Sequence, residues 1–291
     1  MTNDLLAFIL NCMENDCYTR LNSVLSKYPH VYQFLNEGFI KKQCKKGFKN
    51  YLLKCLEDEE SSSDTNLHLP TLEKRLAELD SIAGYDRLEP CLQGASDWDE
   101  YQEFLAQMNI TLWFRQKNLL KEIEPELPHR DGYTDMLLSY LQRDICCEVT
   151  SRQSPPKSMR FLRDNEVLKV QRLLNKQPWM TKQDAENEIE IDIINRKLLE
   201  KTKRQLPSGY PGIIAFDAGK GWVFHHQVKR VAKKLFPKRP HLMLVMLWTS
   251  ERGSQIGEPP FWFVNSFSAY QNIAQKLLKY LGQDNWVLDC R

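Results

Sequence analysis

No apolar run in the chain approaches the ~20 residues that a membrane-spanning helix needs; the longest, His241 to Trp248, suits a buried strand. No membrane partner is therefore expected. A secretory leader is not expected either, because MTNDLLAFILNC carries Asp4 and no basic flank. Eight cysteines are present, yet none form a Cys-x-x-Cys pair: Cys12 and Cys17 are five apart, and Cys146 and Cys147 are adjacent. That spacing speaks against a structural zinc site and for reduced, buried thiols in a cytoplasmic protein. There is no internal repeat, so a solenoid is excluded.

What is present is the composition of a folded domain. Of 291 residues, 42% are hydrophobic and 27% charged, which excludes wholesale disorder and allows one large core or a medium core plus a smaller module. The net charge of +2 hides a segregation. Between Glu57 and Glu103 there are 14 acidic residues against Lys74, Arg75 and Arg87. Between Arg196 and His241, 12 Lys and Arg stand against Glu200 and Asp217. The basic segment would attract phosphate; equally, the two segments could neutralise each other in the fold.

Residues 1–58 read as a helical module. Leu21, Val24, Leu25, Tyr28, Tyr32 and Leu35 recur at spacings of three and four, broken by Pro29, Gly38 and Gly47. Residues 59–70 are acidic, Ser-rich and aperiodic, which predicts a linker, with a second domain over 71–291. That domain opens with helices from Leu72 to about Ala83 and from the Ser96–Asp97 cap. The run Ile110 to Arg115 (ITLWFR) looks like a strand, and Lys117 to Pro128 like a charged connection. A long helix from about Gln183 to Leu206 ends at Pro207-Ser208-Gly209. Strands are expected at Ile213–Asp217, His241–Trp248 and Phe261–Val264, alternating with helices over Val223–Phe236 and Ala269–Leu281. The class is α/β: a mixed central sheet flanked by helices, with a helical N-terminal module.

Asp135 and Glu148 bracket two apolar runs in GYTDMLLSYLQRDICCEVTS. A turn near Leu141–Gln142 would set the two acids opposite each other, roughly 4.5–5.5 Å apart at Cβ. Like charges that close require a proton or a cation between them, and a divalent ion held by oxygens fits. The same spacing also suits two solvent-facing strand residues. His129 and Asp131 read as turn chemistry. Trp222, Trp248 and Trp262 read as core.

Three features, GYTD opening a strand, CCEVT ending the next, and EKTKRQLP closing the long helix, resemble the PD-(D/E)XK nuclease superfamily, or restriction-endonuclease-like fold, over Ser96 to Val264. The resemblance implies metal-dependent phosphodiester hydrolysis of DNA, with Asp135 and Glu148 holding Mg²⁺ or Mn²⁺. It implies a lysine two residues after the Glu, and Thr150 stands there instead. Thr150 shares the Glu148 face by strand alternation but carries no charge. Lys197, Lys201 and Gln205 fall on one side of the long helix beside Ile194 and Leu198, so Lys201, with Gln205 one turn on, is the candidate substitute; the same position also suits a stem packed on the sheet with its ammonium in solvent. Glu103, on the helix before the first strand, is a further metal-ligand candidate. Lys229, Arg230, Lys233, Lys234, Lys238 and Arg239 are the expected contacts to the nucleic-acid backbone. The alternative is a catalytically degenerate member of the fold that binds nucleic acid or protein, with the N-terminal helices recruiting a partner or self-associating.

Overall fold

The structure is a computed structural model that describes residues 15–57, 62–127, 134–152, 164–218, 225–248, 260–283 and 287–288. His129, Asp131 and Trp222 lie outside the described residues. The chain divides into two compact units, Met1–Met108 and Asn109–Arg291.

The N-terminal unit is helical: α1 (15–25), α2 (Pro29–Phe34), α3 (Glu37–Lys46), α4 (Tyr51–Glu57), α5 (Ser62–Leu79), α6 (Leu88–Gly94) and the first half of α7 (Trp98–Gln116). Leu21, Leu25, Leu35, Leu72 and Leu76 are buried in its core. Side chains close the helix starts. The Asn36 side chain accepts from the Phe39 N–H at 3.0 Å at the start of α3. Glu73 of α5 accepts from the His30 and Val31 N–H groups, each at 3.0 Å, at the start of α2. Two expectations change here. Residues 62–70, expected as linker, are helical, because the apolar row Leu69, Leu72, Leu76 and Leu79 draws α5 into the core despite Pro70. Cys17 and Cys44, expected as reduced thiols, form a disulfide.

The second unit is a mixed seven-stranded sheet in sequential order: β1 (Leu120–Ile123), β2 (Met136–Tyr140), β3 (Arg143–Ser151), β4 (Gly212–Asp217), β5 (Leu242–Trp248), β6 (Phe261–Val264) and the two-residue β7 (Val287–Leu288). β3, β4 and β5 are parallel; β1, β2 and β6 run antiparallel to their neighbours before them or after them in this core. The crossovers supply α8 (Asp164–Lys176), α9 (Lys182–Arg204) and α10 (His225–Leu235), and α11 (Gln271–Tyr280) follows β6. One sheet face, with Leu137, Cys146, Ile214, Phe216, Val245 and Phe263, packs on Ile194 and Leu198 of α9 and Val231 and Leu235 of α10. On the other, Trp113 of α7 lies against Trp248 and Trp262 at ring separations of 5.8 and 6.1 Å. Trp248 and Trp262 are core residues, as expected.

The strand expected at Ile110 to Arg115 is the second half of α7 instead. Every residue from Phe104 to Phe114 is buried, including Gln107, Asn109 and Thr111. A helix covered all round shows no polar face, so its period is hidden, and β-branched and aromatic residues then imitate a strand. The first strand falls in the expected connection, as the charged edge segment Leu120-Lys121-Glu122-Ile123.

Arg152, just past β3, fixes the slide of α9 along the sheet. Its guanidinium donates to Glu190 of α9 at 3.1 Å through both Nε and Nη2, and to Glu166 of α8 at 2.9 Å; all three residues are buried. Removing the cation takes a charged hydrogen-bond partner from two buried carboxylates, and breaking a buried pair typically costs ~3–5 kcal/mol. Arg152→Leu is therefore expected to lower the unfolding free energy of the full chain, measured by urea denaturation, by about that amount, and an unchanged midpoint and slope would show that the trio does not hold α9.

Candidate functional site

The β2–β3 hairpin turns at Leu141 and Gln142, whose φ values of 51° and 60° give the primed turn that matches strand twist. The register this fixes runs through Leu137↔Cys146 to Met136↔Cys147. One further step sets Asp135 opposite Glu148. The same step puts both on the face covered by α9, since Leu137 and Cys146 point there.

From α9, Lys201 reaches both acids. Its Nζ lies 3.3 Å from Asp135 Oδ2 and 3.5 Å from Glu148 Oε2. The ammonium donates to both acids, at distances longer than the ~2.7–2.9 Å of a tight charge-assisted hydrogen bond, and so bridges them. Asp135 Oδ2 also accepts from the Val149 N–H at 2.5 Å, which pins that carboxylate to the strand edge. Glu148 is fully buried, and its Oε1 has no hydrogen-bond partner among the described residues. Burial raises the Glu148 pKa well above the ordinary carboxylate range; Asp135 raises it further and Lys201 opposes the rise. Burial likewise pushes up the Cys147 thiol, with Asp135 and Glu148 adding to the effect.

Thr150 is buried two residues along from Glu148 on the same face. Gln205 ends α9, its main-chain N–H donating to the Lys201 carbonyl at 3.0 Å, and makes no hydrogen bond to either acid. Its side-chain Oε1 is buried without a partner among the described residues. Glu103 is half-buried on α7 within the N-terminal unit. Among the described residues no three His, Cys, Asp or Glu side chains gather as a metal-ligating group, so Asp135 and Glu148 stand as a pair.

The six basic residues differ in exposure and in engagement. Lys233, Lys234 and Lys238 are exposed, and Lys229 and Arg239 are half-buried. Arg230 is engaged by Glu188 of α9 through both Nη atoms, the Nη2–Oε2 separation being 3.2 Å. Because α10 connects the carboxyl end of β4 to the amino end of β5, Lys238 and Arg239 lie at the end of the sheet away from Asp135 and Glu148. The Arg152–Glu190 link was invisible in the sequence; only strand alternation, which puts Arg152 on the face of Glu148 and Thr150, hinted at it.

Comparison with protein-family models, curated proteins and solved structures gave no match, so what this site does rests on its geometry. No helix among the described residues is long and apolar enough to cross a membrane.

A carboxyl whose folded-state pKa is raised stabilises the fold below its unfolded pKa, and that stabilisation is lost as pH rises through the folded value. Glu148→Gln removes the titration. The variant is expected to gain stability over the wild type as pH rises above the ordinary carboxylate range, and chemical denaturation at a series of pH values measures the gap. A constant gap would mean Glu148 keeps an ordinary pKa.

Proposed function

We propose that this chain is a divalent-metal-dependent nuclease acting on DNA by phosphodiester hydrolysis, with a core like that of the PD-(D/E)XK superfamily. The observation that carries the reading is Lys201, which reaches Asp135 and Glu148 from a separate helix at 3.3 and 3.5 Å. A lysine beside two opposed carboxylates is the set of groups this chemistry needs, and it is assembled although the strand position carries Thr150.

Asp135 and Glu148 would hold Mg²⁺ or Mn²⁺, and the fit rests on Glu148 Oε1, a buried oxygen with no partner among the described residues. Such an ion, when bound, lowers the pKa of a coordinated water and neutralises charge on the phosphate. The Val149 N–H holds Asp135 in place, and the flexible Lys201 stem lets its ammonium turn from the acids toward the phosphate as charge develops there. Exposed Lys233 and Lys234 supply non-specific attraction to the backbone.

Thr150 favours a second reading: a catalytically degenerate protein of the same fold, in which Lys201 closes the pair as a salt bridge and the chain binds nucleic acid or protein. Its N-terminal helices would then recruit a partner or self-associate. A cytoplasmic setting belongs to the proposal, and the Cys17–Cys44 bridge weighs against it.

Plasmid nicking with Mg²⁺ or Mn²⁺ decides between the two. Wild-type protein is expected to cut, Glu148→Ala and Asp135→Asn to be inactive, and Lys201→Met to lose about 10²–10³ in rate, by analogy with removal of a preorganised charge elsewhere. Cutting that survives Glu148→Ala overturns the assignment, and no cutting by the wild type with either metal leaves the second reading.

A further inference from the structure

A hollow of about 520 Å³ opens at the other end of the sheet, where the β2–β3 turn meets the start of β4. Its size is that of a small-ligand site. Arg143 and Lys121 line it with the rings of Tyr210 and Tyr270, together with Gln142 and Asp144. Arg143 begins β3 and Glu148 lies five residues on, about 17 Å along a strand at ~3.3 Å per residue. The hollow is thus separate from the carboxylate pair.

Each wall is held in place. Asp144 accepts from Lys121 Nζ with both carboxylate oxygens, each at 2.9 Å, which fixes the ammonium at the rim. The Tyr270 hydroxyl donates to the Gly209 carbonyl at 3.4 Å, next to Tyr210. The loop before Tyr270 is tied down by the Ser268 hydroxyl, which donates to the Pro240 carbonyl at 2.8 Å. The Asn265 amide also donates to the Arg239 and Leu242 carbonyls, at 3.0 and 2.6 Å. On the opposite side Leu141 and Gln142 hold left-handed φ values without glycine, and Leu141 is 57% exposed. Those values belong to the primed hairpin turn, which sets Gln142 and Arg143 at the mouth of the hollow.

We propose that this hollow binds a nucleoside phosphate, either free or as one unit of a nucleic-acid strand. Two cations against one carboxylate leave a net positive charge for the phosphate, with the exposed Arg143 guanidinium offering a two-pronged contact. The tyrosine rings offer faces on which a base stacks, a contact that tolerates any base. The Gln142 amide and the Asp144 carboxylate provide polar partners for a base edge or sugar hydroxyl. Lys238 and Arg239 reach the same end of the sheet, so a strand leaving the hollow would meet further positive charge.

The test uses the full chain carrying Glu148→Gln, without metal, so that neither cleavage nor its absence affects the outcome. Binding of thymidine monophosphate is measured by calorimetry and that of a fluorescent oligothymidylate by anisotropy. Arg143→Ala and Tyr210→Ala are each expected to weaken both ligands about tenfold, while Tyr210→Phe, which keeps the ring, binds as the parent does. Equal affinity per site for the two ligands identifies a free nucleotide as the occupant; much tighter binding of the oligonucleotide, still lost in the Arg143 and Tyr210 variants, identifies a strand. Either result supports the site. No binding of either ligand by the parent, or binding that Arg143→Ala and Tyr210→Ala leave unchanged, overturns it.

Discussion

The second unit turns on one electrostatic constraint: a fully buried carboxylate, Glu148, faces another across a hairpin, and an ammonium from a different element stands between them. A fully buried carboxylate left charged beside a second, partly buried one with no cation would cost several kcal/mol, a large share of a marginally stable fold. The position of α9 is therefore tied to the chemistry of β3. Glu190 and Lys201 are eleven residues apart, about 16 Å along a helix at 1.5 Å per residue. Their partners Arg152 and Glu148 are four strand residues apart, about 13 Å at ~3.3 Å each. The long arginine and lysine side chains absorb the difference. One helix face thus meets the sheet at two charged points, with Ile194 and Leu198 packed between them.

How much of this could be read beforehand follows from which interactions are local. The hairpin is local: a short turn and a period of two determine which residues oppose, so Asp135 and Glu148 could be paired from spacing alone. Lys201 was accessible because helical spacing placed it beside Ile194 and Leu198, whose apolar row had to face the sheet. By contrast, the second half of α7 has no exposed side and so no period, and its Ile110, Thr111 and Trp113 matched a strand in composition. The true first strand is charged because it is an edge, where exposed backbone calls for polar residues. Arg152 pairs with Glu190 across 38 residues and Cys17 with Cys44 across 27, separations that no local pattern encodes.

A lysine carried on a helix is controlled differently from one carried on a strand. On β3, a charge at position 150 would be placed by the backbone, two residues from Glu148 on the same face. Carried on α9, it is placed by tertiary packing, through a long stem that is only 14% exposed and spans from the helix to the acids. Packing of that kind is stiff, since cores resist changes of even one methylene. The helix thus fixes the base of the Lys201 stem while the end of the stem can still turn, and Thr150 is a small, neutral, buried side chain on the Glu148 face.

The distribution of the remaining positive charge follows from the same β-α-β connection. α10 descends from the carboxyl end of β4 to the amino end of β5, an eleven-residue path of about 16 Å. Val228, Val231 and Leu235 take its inner side, which forces Lys233 and Lys234 outward. Arg230 is spent on Glu188 and joins α10 to α9, so it contributes to packing more than to the external field. What is left is a line of charge along α10, with Lys238 and Arg239 past its end. Within a Debye length of roughly 8 Å at physiological salt, no single point of that line feels all of it.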